Sequence, residues 1–138
     1  MPSTLFILLF TVASFIGNLG NDITVPAIQV IKITGSDAST GTLTLEDVNG
    51  NPADNFQIAA GSKIQWLVKS NSIKDVTNIY AKPDNPNVFS DGPQRRGKSQ
   101  NWGGQIDDNA GGQEESYNID WVDESGNGHT YDPKIQVK

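Results

Sequence analysis

An all-β domain of two facing sheets is the fold class that this chain of 138 residues predicts, on three observations. Downstream of the first 20 residues, no window has the i, i+3, i+4 apolar spacing of an amphipathic helix. Several short stretches instead alternate apolar and polar residues with period two, and Gly-, Asn- and Pro-rich segments separate them. Strands of that kind bury one face each, so a sandwich is favoured over α/β layering.

Residues 28–33 (IQVIKI) are β-branched and apolar on both faces, as a first strand between two layers would be. Gly35, Ser36 and Asp37 are expected to end it. Residues 42–46 send Leu43 and Leu45 to one side. The turn-rich residues 47–55 then lead to Phe56 and Ile58, and the two stretches read as a hairpin. Residues 62–69 place Ile64, Trp66 and Val68 on one face, and residues 76–82 form a further strand closed by Pro83 and Pro86. Tyr117, Ile119 and Trp121 alternate with Asn118 and Asp120. After an ESGNGH turn, Ile135 and Val137 complete the series.

Residues 90–116 break the regular spacing. They hold six Gly, the cations Arg95, Arg96 and Lys98, the acids Asp107, Asp108, Glu114 and Glu115, and few apolar residues. A connection of 27 residues is long for a small domain, and such loops tend to be functional or mobile.

The second half of the chain resembles the cupredoxin-like sandwich. Gly61, Ile64, Trp66 and Val68 echo the Gly-initiated, Trp-containing strand of that family; Tyr117 and Ile119 sit where its penultimate strand carries Tyr and Phe; Ile135 and Val137 match its closing pair, with Pro133 in place of Gly. The resemblance covers residues 56–138 and implies a Greek-key β-sandwich, an immunoglobulin-like arrangement being the close alternative. It also implies a scaffold without its metal. A type 1 copper site takes a thiolate, two imidazoles and an axial Met. Here Trp121 stands at the Cys position, Asn71 and Ser72 at the first His, and Met1 is the sole Met. No cofactor is expected.

At the amino terminus, residues 5–16 (LFILLFTVASFI) form an apolar run followed by GNLGND. The run is too short to span a bilayer comfortably and suits a secretory h-region better, an uncleaved anchor or a buried first strand being the alternative. The expected organisation is a signal peptide over residues 1–20, a single domain over 21–138, and a secreted or periplasmic location with no stable membrane span after processing. The chain has no Cys, which excludes disulfides, thiolate metal sites and a Cys nucleophile. Its net charge of -6 opposes nucleic-acid binding.

Each stretch with chemistry has a simpler reading beside it. Residues 123–134 (DESGNGHTYDPK) open like a calcium loop but place Lys134 where a bidentate Glu is required. A hairpin with Asn127-Gly128 supplying positive φ is the simpler account. Asp47, Asn49 and Asn51 make a similar near-match. His129, with Asp123 or Asp132, has no nucleophile to serve. The pairs Asp107-Asp108 and Glu114-Glu115 would need to face each other across a cleft to act on a glycoside. Trp102, set among glycines, is either a plug on the sandwich edge or an exposed platform for a sugar ring or peptide. The function expected is a non-catalytic binding or interaction module for an extracellular carbohydrate or protein. Its ligand contacts would come from Trp102, Arg95, Arg96, Asp107 and Asp108. A carboxylate-dependent hydrolase and a structural component of an extracellular assembly are the alternatives.

Overall fold

The computed structural model describes residues 27–138, and the segment 1–20 read as a signal peptide lies outside them. Ten strands follow one another without a helix among the described residues: β1 (Ile28–Asp37), β2 (Thr42–Glu46), β3 (Asn55–Ile58), β4 (Lys63–Val68), β5 (Ile73–Ala81), β6 (Phe89–Arg95), β7 (Trp102–Ile106), β8 (Glu114–Asp123), β9 (Gly128–Tyr131) and β10 (Lys134–Val137). They form two mixed sheets of five strands. Sheet A runs β2-β1-β4-β7-β6, with β1 and β4 parallel. Sheet B is centred on β8, which pairs β5 on one side and both β9 and β10 on the other, while β3 lies parallel to β10 at the edge.

Strands β9 and β10 keep one register against β8, from Gly128↔Val122 to Gln136↔Glu114. They are one strand interrupted at Asp132-Pro133, where the proline has no N–H to give the ladder.

Period-two alternation places the core. On β8, Glu115, Tyr117, Ile119, Trp121 and Asp123 all point inward and their neighbours do not. Sheet A answers with Ile31, Ile33, Leu43, Leu45, Ile64 and Trp66, so the inner faces of both sheets meet in a single apolar cluster. Each of the three tryptophans also donates its indole N–H across that interface. From sheet A, Trp66 bonds Tyr117 Oη (3.1 Å) and Trp102 bonds the Val76 carbonyl (3.1 Å). In the opposite direction, Trp121 bonds the Gly41 carbonyl (3.1 Å) in the β1–β2 turn. A buried indole N–H without a partner is costly, so these bonds fix the two layers in register as well as in contact.

The structure corrects five local expectations. β1 does not stop at Gly35; it continues to Asp37 through a bulge between Ile33 and Gly35. It is buried on one face only, with Ile28 57% exposed. Strands β2 and β3 are not a hairpin, because after the Glu46↔Pro52 bridge the chain crosses to sheet B, where β3 finds β10. Residues 90–116 are not one long loop but contain most of the β6–β7 pair, whose two register shifts and Gly content conceal it. In the ESGNGH turn, positive φ falls on Gly126 rather than on Asn127-Gly128.

That turn and the earlier one at Asp47 share a pattern, Asp-x-(Asn/Ser)-Gly-Asn. In both, the Asp Oδ1 accepts backbone N–H groups two and four residues on, at 2.8 and 3.0 Å. In both, a glycine at positive φ completes the reversal. The carboxylates that resembled calcium ligands are therefore occupied by their own backbone. Those bonds also hold the Asp47 carboxyl below the usual carboxylate range. At Asp123 the His129 hydrogen bond is the larger cause of the same shift.

Candidate functional site

An exposed polar concavity lies on the outer face of sheet A, and its shape follows from strand register. Lys63 of β4, Gln105 of β7 and Asp91 of β6 stand in one cross-strand row; Gln65, Gly103 and Gln94 stand in the next. Because the middle of the second row has no side chain, a trough of about 320 Å³ opens there. Its floor is the Gly103 backbone. Arg96, just past β6, lies across that floor, so near that a Cβ at Gly103 would come within 3.0 Å of Arg96 Cδ and Nη1. Gly104 faces the other way, where a Cβ would meet the Phe89 ring at 3.1 Å.

The rims carry Lys63 and Arg96, both exposed, with Asp91 beside them. Neither cation has a carboxylate within ion-pair distance among the described residues. Gln105 is fixed by a 2.6 Å bond from its Nε2 to the Gly61 carbonyl. The arrangement offers a planar guanidinium fork and a point charge separated by amides and a flat peptide floor. That combination suits a carboxylate or sulfate on a polyhydroxylated or peptide ligand.

The residues singled out from sequence do not form one site. Arg96 lines the trough, whereas Arg95 points to the side of the molecule. There it holds Asp75 through two bonds (2.9 and 3.2 Å), donates to the Val76 and Ser99 carbonyls, and lies 5.5 Å from the Trp102 ring centroid. Trp102 is 7% exposed, its N–H already used by Val76. Arg95 and Trp102 thus join the β6–β7 edge of sheet A to β5 of sheet B. Removing this clasp by Arg95→Ala is expected to cost about 1–2 kcal/mol, since the ion pair is part-exposed but the carbonyl bonds and ring contact are lost with it. Urea unfolding midpoints of Arg95→Ala and Arg95→Lys would measure it, the lysine variant falling between.

Asp107 and Asp108 shape the turn after β7. Asp107 Oδ1 accepts the Asn109 N–H (2.9 Å), and Asp108 packs against Gly61, which has φ of 80°. Glu114 is exposed while Glu115 is buried in the core, so this pair does not share a surface. His129 stacks on Trp121 (4.4 Å between centroids) and its Nε2 bonds Asp123 Oδ2 at 2.8 Å, closing the side of the molecule opposite Arg95. Lys63, Asp91, Gln94 and Gln105 were not legible as a group. Their only signal is register, since β4, β6 and β7 bring them together from distant parts of the chain.

Among the described residues, no three His, Cys, Asp or Glu side chains are grouped to hold a metal ion. No family model matches the chain, and no curated protein matches it in sequence.

Proposed function

We propose that this protein is an exported, non-catalytic binding module on a cupredoxin-like Greek-key scaffold without copper, and that its ligand presents an anionic group to the trough on sheet A. The observation that carries the reading is the placement of Lys63 and Arg96 on one trough over the glycine floor, neither of them in an ion pair among the described residues and with Asp91 the single acid on the lining. On a molecule of net charge -6, two such cations form a local exception that selects by position rather than by bulk attraction. The scaffold reading is supported by the places of the residues that carry the resemblance: Ile64 and Trp66 on β4, Tyr117 and Ile119 on β8, Ile135 and Val137 on β10, all in the core. At the positions that resemble copper ligands, Trp121 is buried with its N–H bonded to Gly41, and Ser72 belongs to a chain of hydroxyls with Ser36 and Ser70. These residues do not fit copper.

Binding to an array of uronate-bearing and sulfated glycans and acidic peptides tests the proposal. Lys63→Ala and Arg96→Ala are each expected to weaken capture of the best ligand about tenfold, the loss of one charge-assisted contact. Gly103→Ala is expected to weaken it comparably by displacing the Arg96 side chain, with little change in unfolding midpoint. Undiminished binding by the Lys63→Ala, Arg96→Ala double variant would place the ligand elsewhere.

A further inference from the structure

Residues 82–88 carry the chain from sheet B to sheet A, and their composition keeps them out of either ladder. Pro83 and Pro86 lack N–H groups and Asp84 has φ of 67°. The segment is held instead by individual bonds. Lys82 N–H donates to the Ser116 carbonyl (3.0 Å), and Asn85 Oδ1 accepts the Ser116 N–H (3.3 Å). At its far end Val88, fully buried, bonds both layers: its C=O accepts the Asp107 N–H (2.8 Å) after β7, and its N–H donates to Glu115 Oε1 (2.9 Å) on β8.

Glu115 is the residue that does not belong in an apolar row. It is 0% exposed, and its Oε2 is the one buried side-chain oxygen or nitrogen without a hydrogen-bond partner among the described residues. A carboxylate there would have a single donor, too little to replace its hydration. A carboxylic acid needs less. We propose that Glu115 is a proton-operated latch on the crossover: protonated, it fastens Val88 over the core, and the drive to give up its proton opens residues 82–88 to water.

Its surroundings leave that charge unanswered. Tyr117, two residues along β8, is fully buried, and burial above all keeps its phenol un-ionised, so it brings no positive charge. From β10, Ile135 stands opposite in register, with Lys134 and the following Lys138 exposed. Lys82 is committed to Asp132, Asp107 to the Asn109 N–H, and Glu114 is exposed. Among the described residues no cation is bonded to it. In agreement, burial pushes the Glu115 carboxyl up to about 7 from an ordinary 4.5, against the opposing pull of the Val88 N–H.

Linkage gives the latch a direction. The opened state releases its proton near 4.5 and the closed state near 7, so the opening equilibrium rises about tenfold per pH unit between those values and then levels off. Because β6 begins at Phe89, directly after Val88, the same opening loosens the strand that carries Asp91 and Gln94 into the trough.

Amide hydrogen exchange resolved by residue, from pH 4.5 to 8.5 and divided by the intrinsic rate, tests this on the wild-type chain together with a side-chain carboxyl titration. The expected result is a carboxyl midpoint near 7. The Val88 amide should also be less protected than Ile119 and Trp121 of β8, losing about two orders of magnitude of protection by pH 7. In Glu115→Gln the Val88 profile should be flat. A midpoint in the ordinary carboxylate range, Val88 protection equal to that of the β8 amides at every pH, or an unchanged slope in Glu115→Gln would overturn the latch. Should Glu115→Gln fail to fold, the wild-type carboxyl midpoint and Val88 protection decide alone.

Discussion

Trp66→Ala is expected to destabilise the protein by about 3–5 kcal/mol, a large share of the roughly 5–15 kcal/mol that holds a domain folded. Trp66 is fully buried on the central strand β4, with ring centroids 6.1 Å from Phe89 and 5.8 Å from Tyr117. Truncation leaves a cavity in the middle of the core, and the same change takes the N–H from Tyr117 Oη, itself fully buried. Trp66→Phe keeps most of the volume while losing the donor and part of the indole, and an expected cost of about 1–2 kcal/mol for that variant bounds what the hydrogen bond contributes. Urea unfolding followed by circular dichroism gives both values; a Trp66→Ala cost below about 1 kcal/mol would contradict the packing described.

Stability is expected to fall by about 3 kcal/mol between pH 4.5 and 7, which is what a carboxyl displaced from 4.5 to about 7 implies. The sign follows from which state releases its proton first. As pH rises, the unfolded chain ionises Glu115 near 4.5 while the folded chain still holds it protonated. The folded state therefore loses ground until about 7 and does not recover above it. Asp37, Asp47 and Asp123 act in the opposite sense, because their carboxyls are held below the usual range by hydrogen bonds made only in the folded state. Their contribution is present above the ordinary carboxylate range and disappears on further acidification. Glu115 thus lowers stability toward neutrality, and the three aspartates lower it toward acid. Glu115→Gln should remove the decline toward neutrality and leave the acid limb intact. Unfolding midpoints of both proteins at pH 4.5, 5.5, 7 and 8 check it.

Much of the fold was legible because one-sided burial imposes period two. β2 was placed to the residue, β4 within one residue at each end, and the inward set of β8 at Tyr117, Ile119 and Trp121 is the observed one. Alternation says which side a residue faces, but not which strand lies beside it. Hence β2 and β3 read as a hairpin when β3 in fact pairs with the far end of the chain. Strand β7 escaped notice for a different reason. Gly103 and Gly104 have little intrinsic strand preference, and what puts them there is room, since side chains at either position would collide with Arg96 or Phe89. The candidate site inherits both blind spots. Arg96 was visible as a cation, but its partners Lys63 and Gln105 become neighbours only through the β4–β7 pairing. Glu115 was visible only as half of an acidic pair. Its position in step with Tyr117 and Ile119 was the overlooked signal.

The three indole bonds between the layers have a practical consequence. Each tryptophan is an intrinsic chromophore whose emission responds to loss of its buried hydrogen-bond acceptor. One sits at the Arg95 seam, one at the His129 seam and one in the middle. Retaining a single tryptophan at a time would turn the protein into a set of three local strain gauges. Their order of response during unfolding would show whether the layers part from one flank or peel apart everywhere at once.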